Sequence, residues 1–121
     1  MSLDETELNE VILNEMLRGL DKPTLLDLVD FYVEETRRRV PGMRPLLEAG
    51  NFTDLKREAH SLKGSSRTYG ASGYGEIAYR LETACKDENR EEADKWLRDV
   101  EAGMERALTT LNAYVQAMPE N

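Results

Sequence analysis

The segment from Thr53 to Tyr69 holds the single histidine of the chain among basic and small residues. If this segment is helical, successive side chains lie about 100° apart around the axis, and His60 falls well away from the apolar arc. The residues that share its side of the helix are Lys56, Arg57, Lys63, Gly64 and Arg67. His60 is therefore predicted to be an exposed imidazole surrounded by cations.

An exposed imidazole is largely uncharged at neutral pH, so one ring nitrogen keeps a lone pair and can act as a nucleophile. Attack on phosphorus would give an N-phosphohistidine, whose dianionic group needs positive charge nearby. Lys63 lies one turn further along the same face, within reach of that group. Gly64 presents no side chain to an approaching partner, although glycine within a helix costs about 1 kcal/mol relative to alanine. These residues indicate phosphoryl chemistry at His60.

Other uses of a lone histidine fit the sequence less well. A metal site lacks ligands, because His60 has no second histidine, no nearby thiol and no inward carboxylate pair to join it. A hydrolase triad lacks support, since Ser61 points about 100° away from His60 on a helix. A structural or incidental surface histidine is the remaining alternative.

The positive charge around His60 is local. Residues 53–69 hold four basic and two acidic side chains, while the whole chain has 16 Lys and Arg against 24 Asp and Glu, a net charge of −8. An acidic chain repels nucleic acid and anionic lipid, so neither is an expected partner. The basic stripe also fits an ordinary solvated helix face.

The composition predicts that helices position this site. Leu, Ala and Glu make up 42 of the 121 residues, whereas Val and Ile number 8, which favours helix over strand. The predicted helices run from about Thr6 to Gly19, from Lys22 through Pro23 to about Gly50, from Thr53 to about Tyr69, from Ser72 to about Lys86 and from about Glu91 to about Ala117. The predicted N-caps of the second, third and fourth helices are Asp21, Thr53 and Ser72.

Two features of these helices need a specific interpretation. Pro41 lies inside the second helix and removes a backbone donor, yet the apolar stripe continues in phase past it. This stripe consists of Leu25, Val29, Tyr32, Thr36, Val40, Met43 and Leu47. We therefore predict one helix with a kink near Arg38 to Val40. Gly73 and Gly75 predict local irregularity at the start of the fourth helix.

Short loops between the helices predict antiparallel neighbours, hence an all-α, up-and-down four-helix bundle with an additional short N-terminal helix. Residues 1–121 are expected to form one domain and a monomer. Cys85 has no second cysteine to pair with, which favours a reducing compartment. Since the sequence shows neither an apolar run long enough for a bilayer nor a basic leader, the chain is expected to be cytoplasmic.

The residues around the histidine also carry a family resemblance. Ala59-His-Ser-Leu-Lys-Gly-Ser-Ser66 resembles the signature of histidine-containing phosphotransfer (HPt) domains. The Tyr69-Gly-Ala71 turn, the Leu81-Glu82 pair and the long C-terminal helix are similar to that family as well. The resemblance covers about Pro23 to Val115.

The resemblance implies a four-helix bundle that serves as a phosphorelay intermediate. His60 would accept a phosphoryl group from an aspartyl phosphate on a response-regulator receiver domain and pass it to another receiver. Lys63 would stabilise that group, and Gly64 would give the partner access. Further partner contacts are expected at Lys56, Arg57, Ser61 and Arg67.

The same resemblance implies that the chain is a phosphoryl carrier rather than a complete enzyme. No cofactor is expected in the chain itself, because the receiver domain brings the Mg²⁺. A hybrid histidine kinase is a further expected partner. Two alternatives stay open: an HPt module excised from a larger chemotaxis-type or hybrid histidine kinase, and a helical adaptor without phosphoryl chemistry.

Docking of a partner requires an apolar patch beside His60. Val11, Ile12 and Met16 of the N-terminal helix are candidates, and core packing is the alternative use of these residues. The run Arg37-Arg38-Arg39 could guide an acidic partner or form a solvated helix face.

Overall fold

The computed structural model describes residues 3–120, and these form α-helices joined by short loops. The helices are α1 (Glu10–Gly19), α2 (Lys22–Arg39), α3 (Met43–Glu48), α4 (Phe52–Thr68), α5 (Ser72–Lys86) and α6 (Arg90–Gln116), with a 3₁₀ turn (Val40–Gly42) between α2 and α3. Residues 3–120 contain no β-strand. The predicted all-α fold class is confirmed.

Helices α2, α4, α5 and α6 pack into an antiparallel bundle. Opposite directions of α2 and α4 follow from two contacts, since Tyr32 of α2 meets Ser66 whereas Arg39, further along, meets Glu58. Helix α5 packs along both α4 and α6. The helix that carries His60 is thus held on one side by α5 and on another by α2.

The core is a continuous apolar cluster to which every α-helix contributes. Two buried hydroxyls add directional bonds: Tyr74 donates to the carbonyl of Val100 at 2.7 Å, and Tyr32 shares a hydrogen bond of 2.7 Å with Ser66. Burial raises the pKa of Tyr32 to about 12, because a buried phenolate would lose its hydration. The bond to Ser66 fixes the rotation of α4 and therefore the direction in which His60 points.

Pro41 divides the second predicted helix instead of kinking it. Helix α2 ends at Arg39, the 3₁₀ turn follows, and α3 begins at Met43. A proline cannot donate to the carbonyl four residues earlier, so the α-helical ladder stops there. The apolar stripe nevertheless stays in phase, because Val40, Met43 and Leu47 are all buried.

Some helices begin at a different residue from the one predicted, because another side chain caps the N-terminus of the helix. The observed caps are Asn9, Asp21, Asn51 and Asn89, which accept from the backbone N–H groups of Ile12, Thr24, Asp54 and Glu92. The predicted N-cap Asp21 is confirmed. The predicted N-cap Thr53 is wrong, because Asn51 caps α4 two residues earlier. Ser72 is also wrong, since it is the first residue of α5 and its hydroxyl donates to the carbonyl of Glu7 at 3.2 Å. Helix α1 begins four residues later than predicted, after Asn9.

Residues 3–9, here called the N-terminal strap, bind the hairpin of α4 and α5 without forming a helix. The carbonyl of Glu7 accepts from the N–H of Gly73 at 3.0 Å, and the N–H of Asn9 donates to the carbonyl of Gly70 at 2.7 Å. The strap thereby satisfies backbone groups at the turn that ends α4. It holds one end of the helix that carries His60.

The glycines at the start of α5 permit close contact and do not disturb the helix, so the predicted irregularity is wrong. A Cβ on Gly73 would lie 1.8 Å from the carbonyl oxygen of Asp4 in the strap. A Cβ on Gly75 would lie 3.2 Å from Cγ of Arg67 on α4. The strap backbone occupies the space of a side chain at Gly73, whereas at Gly75 the Arg67 side chain leaves only a tight fit for a Cβ.

Gly73→Ala is expected to lower the free energy of unfolding by about 1–3 kcal/mol, the usual effect of overpacking. The added methyl group would collide with the backbone of Asp4 and push the strap away from α5. Chemical denaturation measures the stability, and hydrogen exchange of the Asn9 amide reports detachment. Gly64→Ala, at an open helical position, is the control that should not lose stability. An unchanged stability with a protected Asn9 amide would contradict this packing.

Candidate functional site

Helix α4 presents His60 to solvent, with 65% of its side chain exposed. The opposite side of the helix lies in the core through Leu55, Ala59, Leu62 and Ser66. The Nδ1 atom of His60 lies 2.7 Å from Oε2 of Glu82 on α5. A carboxylate only accepts hydrogen bonds, so Nδ1–H is the donor and Nε2 keeps the lone pair.

Glu82 bridges His60 and Lys63. Its second oxygen, Oε1, lies 2.6 Å from Nζ of Lys63, and the side chains of Lys63 and Glu82 are only 16% and 19% exposed. Burial alone would raise the pKa of Glu82, but the ion pair with Lys63 and the hydrogen bond with His60 outweigh it and hold the pKa below its usual 4.5. The carboxylate is therefore ionised at neutral pH and can stabilise positive charge on the imidazole.

The position of Lys63 differs from the expectation in one respect. Its backbone lies on the arc shared with His60, but its stem bends toward α5 and its ammonium group binds Glu82. A helical angle fixes where Cβ points and not where a flexible four-carbon stem leads. The lysine nevertheless stays in the same cluster as the imidazole, because one carboxylate binds both.

Glu82 is the residue that reasoning from spacing misses; only the family resemblance draws attention to it. Twenty-two residues separate it from His60, and no pattern within one helix relates the two. The tight turn after α4 makes α5 antiparallel, which brings the carboxylate level with the imidazole. Apart from that resemblance, the sequence offers one weak signal: Glu82 directly follows the buried Leu81 on a helix expected to pack beside α4.

Gly64 faces open space beside the imidazole. A Cβ built on it would meet no atom of residues 3–120 within 4 Å, apart from its own helix backbone. The packing of the described residues therefore gives no reason for a glycine here. This distinguishes Gly64 from Gly73, where the strap excludes a side chain, and from Gly75, where a Cβ would fit tightly against Arg67.

The remaining predicted contact residues are distributed over two sides of α4. Lys56, Arg57 and Arg67 are exposed on the same face as His60, whereas Ser61 is half-buried and turned toward α2. Arg57 is paired with an aspartate of its own helix at 3.2 Å, and Arg67 with a glutamate of α5 at 3.5 Å. The structure thus groups Lys56, Gly64 and Arg67 with His60 and separates Ser61 from them.

A groove lies between α2 and α4, and Ser61, the residue after His60, is part of its lining. Its volume is about 310 Å³, and its apolar lining residues are Phe31, Tyr32, Val40, Met43, Leu62 and Tyr69. The Phe31 side chain is 63% exposed, which is unusual for a phenylalanine. The α2–α4 groove is therefore an apolar surface that a partner can cover.

The predicted docking residues lie elsewhere. Val11 is 67% exposed on α1 but does not line the groove, and Ile12 and Met16 are half-buried. Sequence reasoning overlooked Phe31 because it falls outside the apolar stripe of α2 and an exposed aromatic has no periodic signal. The arginines at the end of α2 bind glutamates of the same chain: Arg37 binds Glu105, Arg38 binds Glu35 and Arg39 binds Glu58.

Among residues 3–120, no group of three or more His, Cys, Asp or Glu side chains is placed to hold a metal ion. Over the same part of the chain, no helix combines the length and the apolar character required to span a membrane.

A comparison with protein-family models identifies the family of the chain. The model for the Hpt domain matches residues 27–117, three quarters of the sequence, and includes α4 with His60. The chain belongs to the Hpt domain family. The predicted family and phosphotransfer function are thereby confirmed. Hpt proteins in phosphorelays interact with receiver domains, which agrees with the predicted class of partner.

One curated relative and two solved structures are similar to this Hpt domain. The phosphorelay intermediate protein rdeA of Dictyostelium discoideum is 21% identical over 101 residues, which cover 84% of this chain and 40% of the relative. Histidine-containing phosphotransfer protein B of Pseudomonas aeruginosa superposes with a TM-score of 0.83 at 20% identity, covering 93% of this chain and 97% of that one.

A rice protein described as a histidine-containing phosphotransfer protein gives a TM-score of 0.76 at 21% identity, over 92% of this chain and 82% of that one. At these identities the structural likeness shows the fold. The chain spans about 40% of the length of the curated relative it matches.

Proposed function

We propose that this Hpt domain carries a phosphoryl group on Nε2 of His60 between receiver domains. The observation that carries the proposal is the exposed imidazole whose Nδ1–H donates to the Glu82 carboxylate. This bond selects Nε2 as the nucleophile and holds the ring in one orientation. A fixed ring supplies the alignment that phosphoryl transfer requires.

The transfer needs only the imidazole and the aspartyl phosphate as reactants. The lone pair of Nε2 attacks the phosphorus of the receiver's aspartyl phosphate, the N–P bond forms, and the P–O bond breaks with its electrons on the leaving carboxylate. The imidazole becomes positively charged and keeps its proton on Nδ1. The ionised carboxylate of Glu82 stabilises that charge, and the reverse sequence delivers the group to the next receiver.

The new phosphoryl group brings negative charge, which nearby cations stabilise. Lys63 is held beside the imidazole by Glu82, and Lys56 and Arg67 lie on the same exposed face. We assign the Mg²⁺ of the reaction to the receiver, because Glu82 is the one carboxylate described beside His60 and is already paired with Lys63, and the other charged side chains on this face are cations.

The surface around His60 suits a receiver of a response regulator or of a hybrid histidine kinase. Lys56, Arg57 and Arg67 supply positive charge to an acidic partner, and Ser61 leads into the α2–α4 groove with its exposed Phe31. We expect the domain to act as a monomer in the cytoplasm, where the single thiol of Cys85 stays reduced.

The direct experiment is incubation with receivers of the same cell that carry labelled phosphate on aspartate. We expect label on the Hpt domain that is acid-labile and alkali-stable, and mass spectrometry should map it to His60. Nuclear magnetic resonance of the labelled protein should place the group on Nε2. Failure of every receiver to transfer label would favour an adaptor without phosphoryl chemistry.

Gly64→Ala is expected to stabilise the fold and to slow transfer. Alanine favours a helix interior over glycine by about 1 kcal/mol, and residues 3–120 leave open space for the methyl group. The same methyl group would project toward the receiver beside His60. Denaturation should show the gain, and the rate of label transfer should fall, with a larger fall for Gly64→Leu. Equal rates for both variants and the wild type would contradict the role of Gly64 in partner access.

A further inference from the structure

Helix α5 exposes an aromatic ring one turn before Glu82. The Tyr79 side chain is 42% exposed, and its ring centroid lies 5.5 Å from Nζ of Lys63 and 5.5 Å from Cζ of Arg67. Both distances are within the range of about 6 Å in which the face of an aromatic ring attracts a cation. One surface tyrosine therefore contacts two cations of α4.

The antiparallel hairpin creates this arrangement. Lys63 and Arg67 are one turn apart on α4, and Tyr79 lies between their levels on α5. Gly75 lets the stem of Arg67 lie against α5, since the Arg67 Cγ is 3.2 Å from where a Cβ would be. The guanidinium then lies between the ring of Tyr79 and the carboxylate of Glu76 at 3.5 Å.

The charges show why a second cation is needed near His60. Part of the charge of Lys63 is balanced by Glu82 at 2.6 Å, so a second cation adds to the positive charge available to a phosphoryl group. The contact of Arg67 with Glu76 is looser, at 3.5 Å, and its side chain is half exposed. Arg67, like the exposed Lys56, can thus turn toward a new anion without breaking a short ion pair.

We propose that Tyr79 is a positioning residue: its ring on α5 holds the side chains of Lys63 and Arg67 of α4 close to His60. This proposal rests on the proposed function of His60. Long lysine and arginine side chains adopt many conformations in solvent, and a shared aromatic ring restricts both at once. The two cations are then in place before the phosphoryl group arrives, so less ordering is required during transfer.

A purely structural role for Tyr79 predicts a different outcome. The ring is 42% exposed, so its loss would leave no closed cavity in the core. Tyr79→Phe keeps the ring face and loses only the hydroxyl, whereas Tyr79→Leu keeps apolar bulk and loses the aromatic face. Comparison of the two variants therefore distinguishes the effect of the ring–cation contacts from the effect of side-chain packing.

The test compares Tyr79→Leu and Tyr79→Phe with the wild type. Ring-current shifts of the Lys63 and Arg67 methylene protons should persist in the phenylalanine variant and disappear in the leucine variant. The rate of label transfer to His60 should fall about five-fold in the leucine variant, as expected for two exposed cation contacts, and stay unchanged in the phenylalanine variant. The unfolding midpoints should be equal.

Each outcome bears on a different claim. If the wild type accepts label and the leucine variant accepts it at the same rate, the proposed role of Tyr79 is wrong, while the function of His60 stands. A lower unfolding midpoint that accounts for the slower transfer would make Tyr79 structural. If the wild type takes no label, the proposed function is wrong, and the role of Tyr79 falls with it.

Discussion

His60→Gln is expected to take up no phosphoryl label from any receiver that labels the wild type. The glutamine amide nitrogen has no available lone pair, so no N–P bond can form at this position. The fold should be preserved, because the replaced side chain is 65% exposed and surface substitutions usually change stability by less than about 0.5 kcal/mol. Autoradiography at acid and alkaline pH, together with denaturation, measures both effects.

Lys56→Gln is the matched control for His60→Gln. It removes a cation from the same helix face and leaves the nucleophile, so it should slow labelling without lowering its final extent. Acid-labile label of normal extent on His60→Gln would show that another side chain accepts the phosphoryl group, and the assignment of His60 would be wrong.

Glu82→Ala is expected to slow phosphorylation of His60 by about ten- to a hundred-fold. The substitution removes the acceptor for Nδ1–H, and a hydrogen bond to a charged group contributes about 1.5–3 kcal/mol. It also leaves Lys63, only 16% exposed, without its carboxylate. Single-turnover transfer kinetics measure the first effect, and denaturation measures the loss of stability.

Glu82→Gln separates orientation from charge. The amide oxygen can still accept from Nδ1–H, so the ring should stay oriented and the loss of rate should be smaller than in the alanine variant. If both variants transfer as fast as the wild type, the Glu82 carboxylate does not assist the reaction.

The stability effect of Glu82 should depend on pH in a defined direction. Burial raises the pKa of Glu82, but the ion pair with Lys63 and the hydrogen bond with His60 outweigh it and hold the pKa below 4.5. A lowered carboxyl pKa adds stability that is present above the usual pKa and is lost as the pH falls through the value in the folded state. The stability difference between the wild type and Glu82→Gln should therefore shrink in acid below about pH 4.5. A difference that stays constant would contradict this ion pair.

Periodicity alone predicted the features that repeat along one helix. The stripe from Leu25 to Leu47 is buried as expected, and His60 is exposed because it lies opposite the buried face of α4. Helix phase is set by local geometry, so one sequence is enough to find it. Even the division at Pro41 left that phase unchanged.

Contacts between helices were not predictable in the same way. The carboxylate of Glu82 reaches His60 through the register of two helices, which depends on the turn at Gly70 and on packing along the whole hairpin. The reason for Gly73 is a strap more than sixty residues earlier in the chain. The side chain of Lys63 follows its strongest electrostatic partner and not its helical angle. Such choices depend on tertiary neighbours that no single segment encodes.

The α2–α4 groove and the cluster of His60, Lys63 and Glu82 between α4 and α5 lie on different sides of α4. Under the proposed function, we expect substitutions at Phe31 to change the choice of receiver while His60, Lys63 and Glu82 stay as they are. Conversely, the chemistry on the α5 flank can be tuned without a change in the apolar contact area. A single helix would thus let recognition and reactivity diversify separately, which suits the proposed transfer between receivers through one imidazole.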